Sequence, residues 1–369
     1  PVASDVDGAE SIASDIGGIV DLAVSHASAA AGGPGRSLTP GEARRWAGKT
    51  RSLLVDILPQ ACGEDLQPAS RIADAAWAAA SLQLPHAPLM AVLAVQSAPR
   101  AVEFGPCDVA CIVWAFAALG FRHRPMMSSL ARAARGCAQE LEATELAAVA
   151  WAFASLSCRS LALLSAVAEA ATPRMPAASP REAANTLWAF AHLRAVHEPL
   201  MAAACARLEG QLGALPAAGL CSVAWSLGAA PLRREELLKA VAERFMELPV
   251  LQRGLDMHVN MCWSLALAPV RHPVAMAGLT PFIEQQASEL SNDQVVRTLW
   301  SFARLAAKDV PVSAVMALMD GAVQRPYRLE PEDASMVAWS LSQIVPAFVP
   351  LLGAAAAPPG RAPRQRRAR

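Results

Sequence analysis

Nine tryptophans stand at 46, 77, 114, 151, 188, 225, 263, 300 and 339, and from Trp77 onward the steps are 37, 37, 37, 37, 38, 37 and 39 residues. A single globular core gives no reason for such regularity. Self-similarity at 20 to 50 residues marks a repeat array, in which each unit buries its apolar face only by stacking on its neighbours. A phrase recurs around the Trp: IVWAFAAL at 112–119, VAWAFASL at 149–156, NTLWAFAHL at 185–193 and TLWSFARL at 298–305. One period has room for two helices of about 13 residues and two short turns. The unit is therefore a helical hairpin, and the expected fold is all-α: a right-handed α-solenoid of about eight hairpin repeats with a 37-residue period, spanning 49–345. Residues 1–48 are expected to form an N-terminal arm with a degenerate cap helix near Trp46, and 346–369 an Ala/Pro/Arg-rich disordered tail.

Composition agrees with helices packed on helices. The chain is 54% hydrophobic with mean hydropathy +0.30, has one Tyr, and shows no sustained alternation of period two. No apolar run reaches the roughly 18 to 20 residues of a membrane span. Within one period, residues 160–169 read as a helix and Thr172, Pro173, Arg174, Met175 and Pro176 as its break. The Trp helix that follows opens with Ser179, Pro180, Arg181 and Glu182, a capping box with Pro at the first helical position. Ser291 and Gln294 repeat the box ahead of Trp300.

On a helical wheel numbered from the Trp, positions −5, −2, −1, +2 and +5 (Leu146, Val149, Ala150, Phe153 and Leu156 in one unit) share the face expected to meet the hairpin partner. The Trp falls on roughly the opposite side, flanked by small residues, and is expected to be buried against the next unit. Truncating such an indole would cost about 3–5 kcal/mol, which explains its recurrence without a functional role. The arc −6, −3, +1, +4 is where units differ. Position −3 carries Asp74, Cys111, Ala148, Asn185, Ser222, Asn260, Arg297 and Met336, and +4 includes Ser81, His192 and Arg304. Gln294 stands at −6, and +1 is always Ala or Ser. An always-small +1 would let a ligand approach the backbone.

The pattern S-P-x-[DE]-φ-A-N-x-φ-W-A-φ-A-x-L at this period resembles the octotricopeptide repeat and its 37-residue relative, the heptatricopeptide repeat, a family linked to FAST-kinase-like and RAP proteins. The resemblance covers about residues 49–345. It implies single-stranded RNA binding in a mitochondrion or plastid, in transcript processing, stability, translation or ribosome assembly. Many relatives end in a RAP domain, and nothing after Trp339 looks like one. The expected RNA contacts are Asp74, Asn185, His192, Ser222, Asn260, Gln294, Arg297 and Arg304, lining a concave groove. An amide such as Asn185 or Asn260 reads a base edge with both donor and acceptor.

The rival expectation is a non-catalytic protein-binding scaffold of an organellar ribonucleoprotein. Residues 46–345 hold 24 Lys and Arg against 26 Asp and Glu, a net of −2, whereas RNA binders usually show a basic footprint. Arg122, Arg124, Arg194, Arg233, Arg234, Arg271 and Arg304 sit at or just beyond the Trp-helix ends, where they could line one edge. No enzyme is expected. The seven histidines make no HExxH, no nucleophile elbow occurs, and the eight cysteines (62, 107, 111, 137, 158, 205, 221, 262) include no CxxC, so they read as buried thiols. The AGKT at 47–50 lacks the first Gly and the preceding strand of a phosphate loop. No cofactor, metal, membrane or small-molecule substrate is expected; the partners are single-stranded RNA and other ribonucleoprotein subunits. The chain opens on Pro1 without an initiator Met, so a preceding segment is expected and no targeting peptide is read.

Overall fold

The computed structural model describes residues 68–306, 311–323 and 330–344, apart from 233 and 271. The expected arm, cap helix and tail lie outside these residues. Among the described residues there are fifteen α-helices and no strand. Helices carrying the Trp alternate with partner helices: α1 (Ser70–Ser81), α2 (Ala87–Ser97), α3 (Pro106–Ala118), α4 (Arg124–Gly136), α5 (Ala143–Ser155), α6 (Leu161–Arg174), α7 (Pro180–His192), α8 (Glu198–Leu208), α9 (Ala217–Ala229), α10 (Glu235–Glu247), α11 (Leu255–Leu267), α12 (Pro273–Gln285), α13 (Asn292–Ala306), α14 (Val312–Val323) and α15 (Pro331–Ile344). None is long and apolar enough to cross a membrane.

The chain forms two compact units, one reaching Ala178 and taking in His197–Ala203, the other made of Ser179–Val196 and the chain from Ala204. In the first, the Trp helices α1, α3 and α5 pack successively on one another, and α2, α4 and α6 do the same in a second layer. The second unit repeats the scheme: α7, α9, α11, α13 and α15 stack in one layer, and α10, α12 and α14 in the other. These are the stacked hairpins of an α-solenoid, as the period requires.

Local chemistry fixes the helix ends. Both expected capping boxes form: Ser179 Oγ accepts from Glu182 N–H at 3.2 Å while Glu182 Oε2 accepts from Ser179 N–H at 2.7 Å. Gln294 N–H donates to Ser291 Oγ at 3.3 Å, and Ser291 N–H to Gln294 Oε1 at 2.6 Å. Position −6 is this N3 capping site elsewhere too, since Glu145 Oε2 and Asp108 Oδ2 accept from Glu142 and Gly105 N–H. Four partner helices use a different cap, nine residues after the Trp: His86, His123, His197 and His272 each accept at Nδ1 from the backbone N–H three residues on, at 3.1–3.3 Å. Each is followed within two residues by Pro. Position +6 turns left-handed to end the Trp helix, at Gln83, Gly120, Ser157 and Arg194 with φ between 48° and 68°. The break expected at 172–176 comes later: α6 carries Pro173 in its last turn and passes into a 3₁₀ turn at Met175–Ala177.

The tight layer of Trp helices explains the small residue at +1. Ala78, Ala115, Ala152, Ala189, Ser226, Ser264, Ser301 and Ser340 are all 0% exposed. The four serines each donate Oγ–H to the carbonyl four residues back, at 2.6–2.7 Å, so no hydroxyl is buried unpaired. Gly228, at +3, meets the next Trp helix so closely that a Cβ there would sit 2.6 Å from the Ser264 carbonyl oxygen. Smallness at +1 therefore serves helix contact, and the expected ligand approach to the backbone at +1 is closed.

Candidate nucleic-acid interface

The open strip of the Trp layer is rotated from the arc expected on the wheel. With +1 buried on one flank and −4 and +3 mostly buried on the other, the surface left runs through −7, −6, −3, the Trp itself and +4. Trp77, Trp114, Trp151, Trp188, Trp225 and Trp339 are half-buried, with part of each indole in solvent. The expected burial holds only for Trp263 and Trp300, at 2% and 5% exposure; their rings pack against each other at 4.6 Å between centroids. Six of the eight Trp helices thus present a partly open aromatic edge beside variable positions, a feature the wheel assigned to the interior.

Residue +4 lies one helical turn above the Trp and covers it. His192 stacks on Trp188, with centroids 4.9 Å apart and planes at 23°, and reaches Trp225 of the next hairpin at 5.9 Å. Arg304 lies over the Trp300 ring at 4.9 Å, a cation–π contact, while its Nε donates to the Ala266 carbonyl at 3.0 Å. The other predicted residues divide sharply by what already holds them. Asn260 Oδ1 accepts from Arg297 Nη1 at 3.2 Å, and Arg297 is also ion-paired to Asp293. Arg297 is 15% exposed and its Nε has no partner, so its guanidinium is committed between two Trp helices. Gln294 caps α13 and gives its amide to Asp256 of α11. Ser222 Oγ donates to Ala218 of its own helix at 3.0 Å, and Asp74 sits half-buried on α1. Asn185 is half-buried on α7, and no hydrogen bond engages its amide among the described residues.

Of the arginines expected along one edge, Arg122 and Arg124 meet in one cleft, Arg194 and Arg234 are exposed elsewhere, and Arg233 and Arg271 lie outside the described residues. Among the described residues no three His, Cys, Asp or Glu side chains come together as metal ligands. Of the seven described cysteines, Cys205, Cys221 and Cys262 are buried, three are half-buried and Cys107 is exposed. Burial pushes Cys262 and Cys221 up to about 12 and Cys205 up to about 11, which keeps these thiols protonated and inert at neutral pH. His258 is buried between Phe282, stacked at 3.8 Å, and Phe245, edge-on at 5.4 Å.

Stacked hairpins with a partly open tryptophan on six of their eight Trp helices define a helical-repeat protein. Residues 68–273, more than half of the 369-residue chain, match the RNA-editing substrate-binding complex 6 protein family, and the chain belongs to that family. The match runs from the start of α1 past the end of α11. The family is described by an RNA-editing complex and not by the octotricopeptide or heptatricopeptide repeat, whose likeness to this chain is one of repeat pattern. No curated protein matches the chain at a significant level.

Proposed function

We propose that this protein is a non-catalytic component of an RNA-editing substrate-binding complex that holds single-stranded RNA along the Trp-helix strip of its hairpins. The observation that carries the reading is a partly exposed indole that recurs at 37-residue steps from Trp77 to Trp225, with polar residues at −3 and +4 beside Trp77 and Trp188 and at −3 beside Trp225. Aromatic faces stack unpaired bases at about 1–3 kcal/mol each, and adjacent amides or imidazoles add base-edge contacts. Asn185, His192 and Ser222 flank Trp188 and Trp225 in this way, and Asp74 flanks Trp77. Membership of a family named for RNA editing supports RNA as the ligand and a mitochondrial rather than plastid setting.

A second reading, a scaffold that contacts protein subunits of the same complex, draws on the polar residues between α11 and α13. There Asn260, Gln294, Arg297 and Arg304 spend their hydrogen bonds on neighbouring helices. The two readings separate by titrating single-stranded RNA at low and moderate salt while following tryptophan fluorescence. RNA binding predicts quenching of the half-exposed indoles and a steep loss of affinity with salt. Absence of both retention and quenching at low salt would leave the scaffold.

A further inference from the structure

Away from the Trp strip, the first unit carries a cleft of about 390 Å³ between α4 and α6, closed at one end by the loops that follow α3 and α5. Five arginines line it, Arg122, Arg124, Arg132, Arg135 and Arg159, together with hydroxyls of Ser128, Ser157 and Ser160, over an apolar floor that includes Phe153 and Leu163. No Asp or Glu is among its lining residues. The sequence shows how this charge accumulates: 109–139 contains four arginines and no carboxylate, and 146–168 contains Arg159 and no carboxylate. All five arginines are exposed to solvent along the cleft.

We infer that this arginine cleft binds consecutive phosphates of an RNA backbone, as a contact separate from the base-facing strip; the inference rests on the RNA reading above. Planar guanidinium forks match phosphate oxygens two at a time, and serine hydroxyls add donors that a phosphate accepts. The cleft has no aromatic face open for a base, since Phe153 is 2% exposed, so its chemistry suits backbone and not base. RNA is favoured over an acidic peptide by periodicity. Arg122 and Arg159 occupy the same place, eight residues after the Trp, in successive hairpins, and the sequence repeats Arg there at 233 and 271. Val196 interrupts the series after Trp188, but within the cleft two successive hairpins each place an Arg at the same register, which matches a ligand whose charge is itself periodic. Such a contact also answers the net charge of −2 over 46–345, because backbone neutralisation needs a local and not a global excess of cations.

The test is a variant carrying Arg122→Gln, Arg132→Gln, Arg135→Gln and Arg159→Gln in the full chain. All four side chains are exposed, so helix content and unfolding midpoint should stay at wild-type values, which is checked first by circular dichroism. Affinity for a labelled single-stranded RNA is then measured across salt, and inorganic tripolyphosphate and poly-glutamate are titrated calorimetrically. The expected result is a log-log salt slope shallower by about 0.7 for each phosphate that the variant no longer neutralises. Tripolyphosphate binding should disappear, while the ranking of RNA sequences stays as in wild type. An unchanged RNA affinity and slope in the variant would overturn the cleft and leave the Trp-strip reading standing. Wild-type protein that binds tripolyphosphate or poly-glutamate through these arginines, but no RNA at low salt, would overturn the RNA occupant and the proposed function together.

Discussion

Asn185 and Asn260 occupy the same register, three residues before a Trp, in the same compact unit, yet the structure gives them opposite consequences on truncation. Asn185→Ala removes an amide with no hydrogen bond among the described residues and places a better helix former mid-helix, a gain of up to about 0.7 kcal/mol. Its unfolding free energy should therefore stay level or rise slightly. Asn260→Ala gains the same propensity but loses the bond from Arg297, and a hydrogen bond to a charged group is worth about 1.5–3 kcal/mol. Water will not replace it readily, because the Arg297 side chain is 15% exposed and already has Nε unpartnered. The net expectation for Asn260→Ala is a loss of about 1–2 kcal/mol. Urea unfolding followed by far-ultraviolet circular dichroism measures both variants within the same unit. On RNA the order reverses: Asn185→Ala should weaken a preferred oligonucleotide by about fivefold, the worth of one neutral hydrogen bond of about 1 kcal/mol. Asn260→Ala should leave affinity near wild type at temperatures where it is folded. Equal destabilisation by the two substitutions would refute the assignment of Asn185 as an uncommitted donor and acceptor. An unchanged RNA affinity in Asn185→Ala would remove it from the binding strip.

Gly228→Ala should destabilise by about 1–3 kcal/mol despite its better helix propensity, because the new Cβ lies 2.6 Å from the Ser264 carbonyl oxygen; a wild-type urea midpoint would show that α9 and α11 can slide apart at no cost. Gln83→Gly relieves a left-handed residue at φ 54° and should raise the thermal midpoint, with a gain of about 0.5–1 kcal/mol; a drop would mean the Gln side chain holds the turn. Burial chiefly lowers the His258 pKa below its ordinary 6.5; the hydrogen bond to the Gly254 carbonyl opposes the shift and the nearby Arg253 charge adds to it. The unfolded chain then binds the proton more readily, so the stability contributed by neutral His258 is complete above about pH 6.5 and is lost as pH falls through the lower folded value. His258→Phe, which keeps the stack on Phe282, should flatten that acid limb in urea midpoints measured from pH 7.5 to 5, and an unchanged slope would assign the limb to other groups.

What the sequence made legible was local. The capping boxes at Ser179 and Ser291, the hairpin and the layer of Trp helices all follow from patterns within one period, because helix signals depend on near neighbours. The strip's rotation was less legible. A helical wheel shows that Trp188 is flanked by small residues, but only the stacked layer shows that those flanks, and not the indole, take the inter-helix contact. Smallness at +1 was ambiguous for a physical reason: close helix packing and close ligand approach select the same residues. Ser264, at 0% exposure, decides for packing. The histidine caps are readable only across periods. His86, His123, His197 and His272 look unrelated until each is counted nine residues from its Trp, where the following Pro also marks a helix start. The arginine cleft needed the fold, since Arg132 and Arg159 meet only when α4 and α6 lie side by side.

Binding along this surface would distribute affinity and specificity unevenly between the two units. In the first, the positions beside Trp114 and Trp151 are Cys111, Ala118, Ala148 and Ser155, which offer few base-edge donors or acceptors. The same unit carries all five arginines of the cleft. In the second, Asn185, His192 and Ser222 surround Trp188 and Trp225, while Arg297 and Arg304 are held by neighbouring helices. Phosphate contacts fix position and base contacts carry sequence information. Loss of the cleft arginines should accordingly weaken every RNA sequence by the same factor and flatten the salt dependence. Substitutions around Trp188 should reorder sequences and leave the salt slope as it was. A cleft variant that changed sequence ranking, or an Asn185 variant that changed only the slope, would contradict this division.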